Sequence, residues 1–305
     1  MTLEHYLQKL TKEEVHSKHS LLVHLSALDG DEMDQFRTWW PSLPGEQRRK
    51  LIERLVTVAE DNVDMDFNGV FRHCLKDDDP RVRELAVSGL WECDDHVLLG
   101  PLMALAKDDP SDEVRISAVL GLGKFGALAE SGKLLHRDGE RIKDVLLSLL
   151  DNNSGSIEIR RRALEAVACF NTPRVRELIR LAYNSQEFKL QVSALYAMGR
   201  TSDPAWLTTI INETSSKETD MRYEAATACG EMGEEEVVPY LIPLIEDEDS
   251  EVQLAALKSL GAIGGLLAKR ALRRCVKTGD DAIQEAAQEA LQHLELEEGT
   301  LGFNS

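Results

Sequence analysis

The sequence predicts an all-α solenoid, an α-α superhelix of about eight helical hairpins, and three observations predict it. An aliphatic residue that opens a helix returns at a 31-residue beat: Ile159, Leu190, Met221, Val252 and Ile283. Small or apolar residues follow it four and eight positions later, the spacing of one helix face. Hydrophobic residues make up 43% of the 305-residue chain and aromatics only 5%, which suits Leu, Ala and Val packed between helices better than a sandwich or barrel.

Taken in chain order, residues 1–30 read as N-terminal capping helices. Asp31 to Trp40 and Pro41 to Pro44 precede the first well-formed second helix, EQRRKLIERLVTVAED. Trp39 and Trp40 are expected to plug that end of the core, because Trp40 precedes Leu51 by the same interval that separates Phe71 from Val82. The beat then gives eight registers, opened by Leu51, Val82, Val114 and the five residues above. Position four is Leu55, Ala86, Ala118, Ala163, Ala194, Ala225, Ala256 and Ala287. Position eight is Ala59, Leu90, Leu122, Val167, Met198, Cys229, Leu260 and Leu291.

Asp79, Ser111, Ser156, Asp249 and Asp280 stand three residues before position zero, where an N-cap oxygen can accept the free N–H groups of a helix start; Glu187 and Glu218 fill that place less well. First helices carry apolar stripes, as in Phe67, Val70, Phe71 and Leu75, or Val237, Val238, Leu241 and Ile245. Each hairpin buries its stripe only against its neighbours, so stability is shared along the stack. The step from Val114 to Ile159 is 45 residues, which predicts a turn-rich insertion near 126–140, locally basic through Lys124, Lys133, His136, Arg137, Arg141 and Lys143. It reads either as a contact loop for an acidic partner or as a solvated excursion. Residues 31–293 are expected to form one solenoid domain and 294–305 a frayed tail.

Position one is Arg83, Arg115, Arg160 and Arg222 in four registers and Gln191, Gln253 and Gln284 in three others. The resulting V-R-x-x-A-x-x-x-L-G pattern, with Asp79-Pro80 and the glycines Gly123, Gly199, Gly230 and Gly261, resembles HEAT repeats, particularly the short bacterial HEAT-like and phycobilin lyase-type kind. The resemblance covers about residues 31 to 293. It implies that the position-one side chains form a ladder, tying neighbouring hairpins through loop carboxylates and carbonyls. It specifies fold far better than function.

Several function classes are disfavoured. The formal charge of −19 repels phosphate backbones and anionic lipid, so neither nucleic acid nor membrane is an expected partner. No apolar run approaches the length of a bilayer span, and Met1 to Leu10 lacks a signal-peptide core, which predicts a cytoplasmic protein. The five cysteines, Cys74, Cys93, Cys169, Cys229 and Cys275, have no C-x-x-C spacing and read as reduced thiols. His16, His19 and His24, with Glu13 and Glu14, are the one histidine cluster and read as structural or surface residues. HEAT-type iron hydroxylases use His-Glu dipeptides as ligands, and no His here precedes Glu. A HEAT-like glycosylase would need a basic inner face. No nucleophile elbow or Walker loop is present. The expectation is a non-enzyme, with no catalytic residues, cofactor or metal site.

The inner surface carries the positive reading. Positions two and six of the second helices point away from the core and ought to be polar. They are polar at the ends: Glu53 and Thr57, Glu84 and Ser88, Glu285 and Glu289. In the middle they are Ile116 and Leu120, Arg161 and Glu165, Val192 and Tyr196, Tyr223 and Thr227, Leu254 and Lys258. An apolar strip flanked by charge predicts a groove for a protein or peptide with apolar and basic character, or self-association, with Tyr196 and Tyr223 as anchors and Arg161 and Glu165 as specificity contacts. A tight superhelix would instead seal the strip inside. The alternative function is a phycobilin lyase-like or chaperone-like protein that shelters a cofactor-bearing partner.

Overall fold

A computed structural model describes residues 3–12, 22–151 and 156–301. Those residues form α-helices and short 3₁₀ turns, with no strand among them. His16, His19, Glu13 and Glu14 lie outside the described residues. The chain divides into two compact units, Met1–Ile159 and Arg160–Ser305.

The first unit holds α1 (Leu3–Lys12), α2 (Gly30–Trp39), α3 (Gly45–Asp61), α4 (Asn68–Cys74), α5 (Pro80–Gly89), α6 (Leu99–Asp108), α7 (Asp112–Glu130) and α8 (His136–Asp151). The boundary falls within α9 (Ile157–Val167). The second unit continues with α10 (Pro173–Tyr183), α11 (Phe188–Thr201), α12 (Leu207–Glu213), α13 (Thr219–Met232), α14 (Val238–Leu241), α15 (Ser250–Ile263), α16 (Gly265–Thr278) and α17 (Asp281–Leu301). In the first unit α3, α5 and α7 lie side by side as a row of second helices; in the second unit α11, α13, α15 and α17 do the same.

The repeat registers explain this packing. All eight position-zero residues and all eight position-four residues are buried. Ala at position four lets two helices of a hairpin approach without a void. Position eight is buried through the middle, but Ala59 and Leu291, at the two ends, are half-exposed. The cap residues behave as their chemistry requires. The Asp79, Ser111 and Asp249 side chains accept from backbone N–H groups of their own helix starts, and Ser156 and Asp280 do so from Glu158 and Ile283. Glu187 and Glu218, one methylene longer, make no such bond.

Close approach along the second row of helices has a sequence cause. A Cβ placed on Gly199 of α11 would stand 2.7 Å from the Ala228 Cα of α13. Gly230 stands in the same relation to Ser259 of α15, at 2.5 Å from its Oγ, and Gly261 to Ala290 of α17, at 2.8 Å from its Cβ. A small residue at one register therefore meets a small residue at the next, and the helices pack almost backbone to backbone.

At two registers the position-one side chain ties neighbouring hairpins as the ladder requires. Arg83 grips Asp109 with two bonds of 2.8 and 2.7 Å and donates to the Asp77 carbonyl. Arg222 repeats the arrangement on Asp247, at 2.7 and 2.9 Å, and donates to the Ser216 carbonyl. Gln191, Gln253 and Gln284 reach only the carbonyl, of Ser185, Asp247 and Gly279. At the start of the first unit Trp40 is buried, stacked on Phe36 at 5.2 Å, and its indole N–H donates to Asp77 at 2.7 Å.

Three elements differ from expectation. The extra residues after Gly123 are mostly helix rather than turn: the helix formers Ala127, Leu128, Ala129 and Glu130 outweigh the cost of Gly126, so α7 runs to Glu130, and the reversal is confined to 131–135, where Gly132 has a positive φ of 76°. The basic excess there is partly neutralised, since Lys124 pairs with Asp94, Arg141 with Asp138 and Lys143 with Glu140. In the first helix that precedes α15, Leu244 is buried in place of the half-exposed Ile245. Ile242–Glu246 winds as a 3₁₀ helix, so Val238, Leu241 and Leu244 share a face at a period of three. Finally, α17 carries Leu294 into the core and continues to Leu301, inside the segment expected as a frayed tail.

Candidate functional site

The nine strip residues fall in both units. Ile116 and Leu120 sit one turn apart on α7 in the first unit, half-buried and 39% exposed respectively. The other seven are in the second unit. Val192 and Tyr196 on α11 are half-buried, Tyr223 on α13 is 38% exposed, Leu254 on α15 is half-buried and Lys258 is exposed. Neither tyrosine is sealed inside, nor is Leu254. The helical phase explains this: position four is fully buried, so positions two and six, about 160° away around each helix, turn outward.

Tyr223, Leu254 and Lys258 converge on an open groove of 500 Å³ that runs between α13 and α15, with Thr227, Glu231 and Glu251 beside them. Its base is the Gly230–Ser259 contact, where Ser259 is buried and its hydroxyl donates to the Ala226 carbonyl at 2.7 Å. The groove exists because two small residues bring the helices together and leave a furrow between larger side chains on either side.

Arg161 and Glu165 form a different arrangement. The Arg161 guanidinium donates to Glu165 at 3.0 Å and to the Ser193 hydroxyl at 3.3 Å, while Ser193 donates to Glu165 at 2.5 Å. Arg162 holds the second Glu165 oxygen at 2.7 Å. Ser193 is buried on α11, so this knot fastens α9 to its neighbour and its charges are engaged within the chain.

Sequence reasoning missed Glu224, at position three of α13. Burial pushes its carboxyl up to about 7, and the nearby Glu165 carboxylate adds to the rise, against the opposing pull of Arg161 and Arg162. Burial likewise raises the Tyr196 phenol, which lies within the field of Glu165, Glu231, Glu224 and Arg200. Burial against neighbouring helices, with Glu165 contributed from a helix two repeats earlier, makes Glu224 unusual, and no local spacing announces that.

Linkage gives this a measurable sign. Glu224's folded value lies above the ordinary glutamate value of 4.5, so between pH 4.5 and about 7 the folded chain holds a proton that the unfolded chain releases. Its cost is absent below that window and complete above it, so stability falls as pH rises through it. Glu224→Gln is expected to stabilise the protein at pH 8 by on the order of 1–2 kcal/mol, after allowance for partial solvent screening, and by almost nothing at pH 4.5. Urea titrations of both proteins across this range provide the check; parallel curves would refute the assignment.

Comparison with known proteins agrees with the architecture. The family model for HEAT repeats matches residues 69–137 and 205–292, together more than half of the chain. No curated protein matches in sequence. Among solved structures, importin beta is similar with a TM-score of 0.51 at 14% identity, over 95% of this chain and 46% of that one. This chain thus spans less than half of importin beta's length. The complex of CpcE and CpcF of phycocyanin lyase from Nostoc sp. PCC7120 is similar with a TM-score of 0.50 at 17% identity, over 75% of this chain and 93% of that one. At such identities the likeness is one of fold. With hairpins in register, caps, ladder and family match all in agreement, this chain belongs to the HEAT-repeat family.

Proposed function

We propose that the chain is a non-catalytic scaffold whose second-helix face in the second unit docks a protein or peptide partner of apolar and basic character. The observation that carries this is Tyr223, exposed at the wall of an open groove beside Leu254, at registers where the end repeats place Glu, Ser or Thr. A phenol ring offers a large contact area at small entropic cost and is enriched at the energetic centres of interfaces. Glu251 flanks it and favours a basic partner, while Glu231 beside it is held by Arg200 at 3.0 Å. No helix among the described residues is long and apolar enough to cross a membrane.

The test uses a photo-crosslinking amino acid at position 223, with the same residue at position 240 as control. Tyr240 is somewhat more exposed but belongs to the first-helix row, on α14. In the native host, position 223 is expected to give a discrete adduct that Leu254→Asp abolishes, while position 240 gives none. Equal labelling at both positions, or none at 223, would refute a docking face.

A further inference from the structure

A second pocket lies in the first unit and involves none of the strip residues. It occupies 630 Å³ between the end of α3, the loop 62–67 and the end of α5. Its floor is apolar and fixed: Phe67 and Phe71 are buried and meet edge to face at 6.2 Å, and Val56 closes the α3 side. The Phe71 ring lies so close to Gly89 that a Cβ there would stand 2.6 Å away. The loop that forms the mouth is tied down as well. Ala27 N–H donates to the Asp66 carbonyl at 2.7 Å, Asp66 N–H to the Ser26 hydroxyl at 2.9 Å, and Asp64 N–H to the Asn62 side chain at 3.0 Å.

Two large apolar side chains stand at the mouth in water. Val63 is 95% exposed and Trp91 52% exposed. Isolated exposed apolar residues are ordinary, but two beside a preformed apolar cavity are an incomplete contact. The charge that lines the pocket is acidic, and one cation stands at its edge: the Lys124 ammonium donates to the Trp91 and Cys93 carbonyls, lies 6.0 Å from the Trp91 ring centroid and is paired with Asp94. Glu60, Asp66 and Glu92 line the pocket, and no Lys or Arg does. Among the described residues Glu60 and Glu92 are engaged in no ion pair, whereas Asp94 and Asp95 just beyond are taken by Lys124 and Arg72.

We infer that this pocket is a binding site for a short peptide segment of a partner protein, one that inserts a bulky apolar side chain onto Phe67 and Phe71 and sets an adjacent Lys or Arg against Glu60 and Glu92. The apolar side chain supplies area burial, with Val63 and Trp91 closing over it. The neighbouring cation satisfies carboxylates that have no ion-pair partner among the described residues, which selects basic segments over acidic ones. The reading is independent of the docking face on α13 and α15.

The experiment displays random short peptides on phage and selects them against the full-length protein, then measures the affinity of the enriched peptides as synthetic molecules. Enrichment of sequences that join an aromatic or long aliphatic residue to Lys or Arg is expected. Their affinity is expected to fall about tenfold or more in Trp91→Ala and in Val63→Asp, and by a similar factor in the double charge reversal Glu60→Lys with Glu92→Lys. Val63 is nearly fully exposed, so Val63→Asp leaves folding intact if Trp91→Ala does not. Bound peptide is also expected to slow alkylation of Cys93, which lines the pocket. Leu254→Asp is expected to leave this binding unchanged, which separates the pocket from the docking face. No enrichment, enrichment of acidic or purely polar peptides, or binding indifferent to the pocket variants would overturn the assignment.

Discussion

Gly199→Val is expected to lower the urea midpoint by an amount worth about 3 kcal/mol or more, with the m-value unchanged if unfolding remains cooperative. The native Gly199 faces the α13 backbone itself, with the Ala228 Cα 2.7 Å from where a Cβ would stand. Backbone has no rotamer to yield, so α11 and α13 must separate along their length. Two effects oppose each other in the milder Gly199→Ala. Helix propensity favours Ala by roughly 1 kcal/mol, while overpacking costs roughly 1–3 kcal/mol. Overpacking wins because the clash is with main chain, so Ala is expected to destabilise less than Val but still to destabilise. In a stack where each hairpin is held by its neighbours, the loss spreads beyond the mutated pair. A Gly199→Val protein with an unchanged midpoint would mean that the second helices are not packed backbone to backbone.

Asp247→Ala is expected to cost about 3 kcal/mol, because it leaves the largely buried Arg222 guanidinium without its bidentate partner and frees the Asp249 N–H that Asp247 also accepts at 3.0 Å. Arg222 beside it holds the Asp247 carboxyl below its ordinary 3.8. The sign follows from that depression: the contribution is complete above about pH 3.8 and is lost as pH falls through the lower folded value. The repeats themselves supply the rescue. Gln191 and Gln253 occupy the same register as Arg222 and bond only the carbonyl six residues back, the bond Arg222 makes to Ser216. Arg222→Gln added to Asp247→Ala is therefore expected to recover stability relative to Asp247→Ala alone, since it removes the orphaned charge and keeps the carbonyl bond. Strict additivity in that double-mutant cycle would show that the ladder arginine and its carboxylate act independently.

Local relations were legible in the sequence. The caps at Asp79, Ser111 and Asp249, the ladder at Arg83 and Arg222, and the buried alanines at position four all depend on residues within one hairpin or its immediate neighbour, which a regular period specifies. The insertion was legible as a break in the beat but not as helix, since a change of step counts residues without saying how they are wound. Ile245 failed for a related reason: two prolines in VPYLIPLIE shift the winding to 3₁₀, and a face drawn at 3.6 residues per turn then falls on the wrong side chain. At the candidate site Tyr223, Leu254 and Lys258 were found by direction alone. Arg161 and Glu165 were found as charged positions, but their engagement with Ser193 and Arg162 was not visible, nor was Glu224, whose surroundings come partly from α9.

By itself, then, the sequence determined that this chain is a series of helical hairpins and which side of each helix is buried. Only the tertiary structure decided which outward side chains remain free and which find partners on a neighbouring repeat, and it alone revealed the acid-rimmed pocket of the first unit. Periodicity fixes the angle of a side chain around its own helix axis, whereas solvent access and charge pairing depend on the distance to other helices, and no single helix encodes that distance.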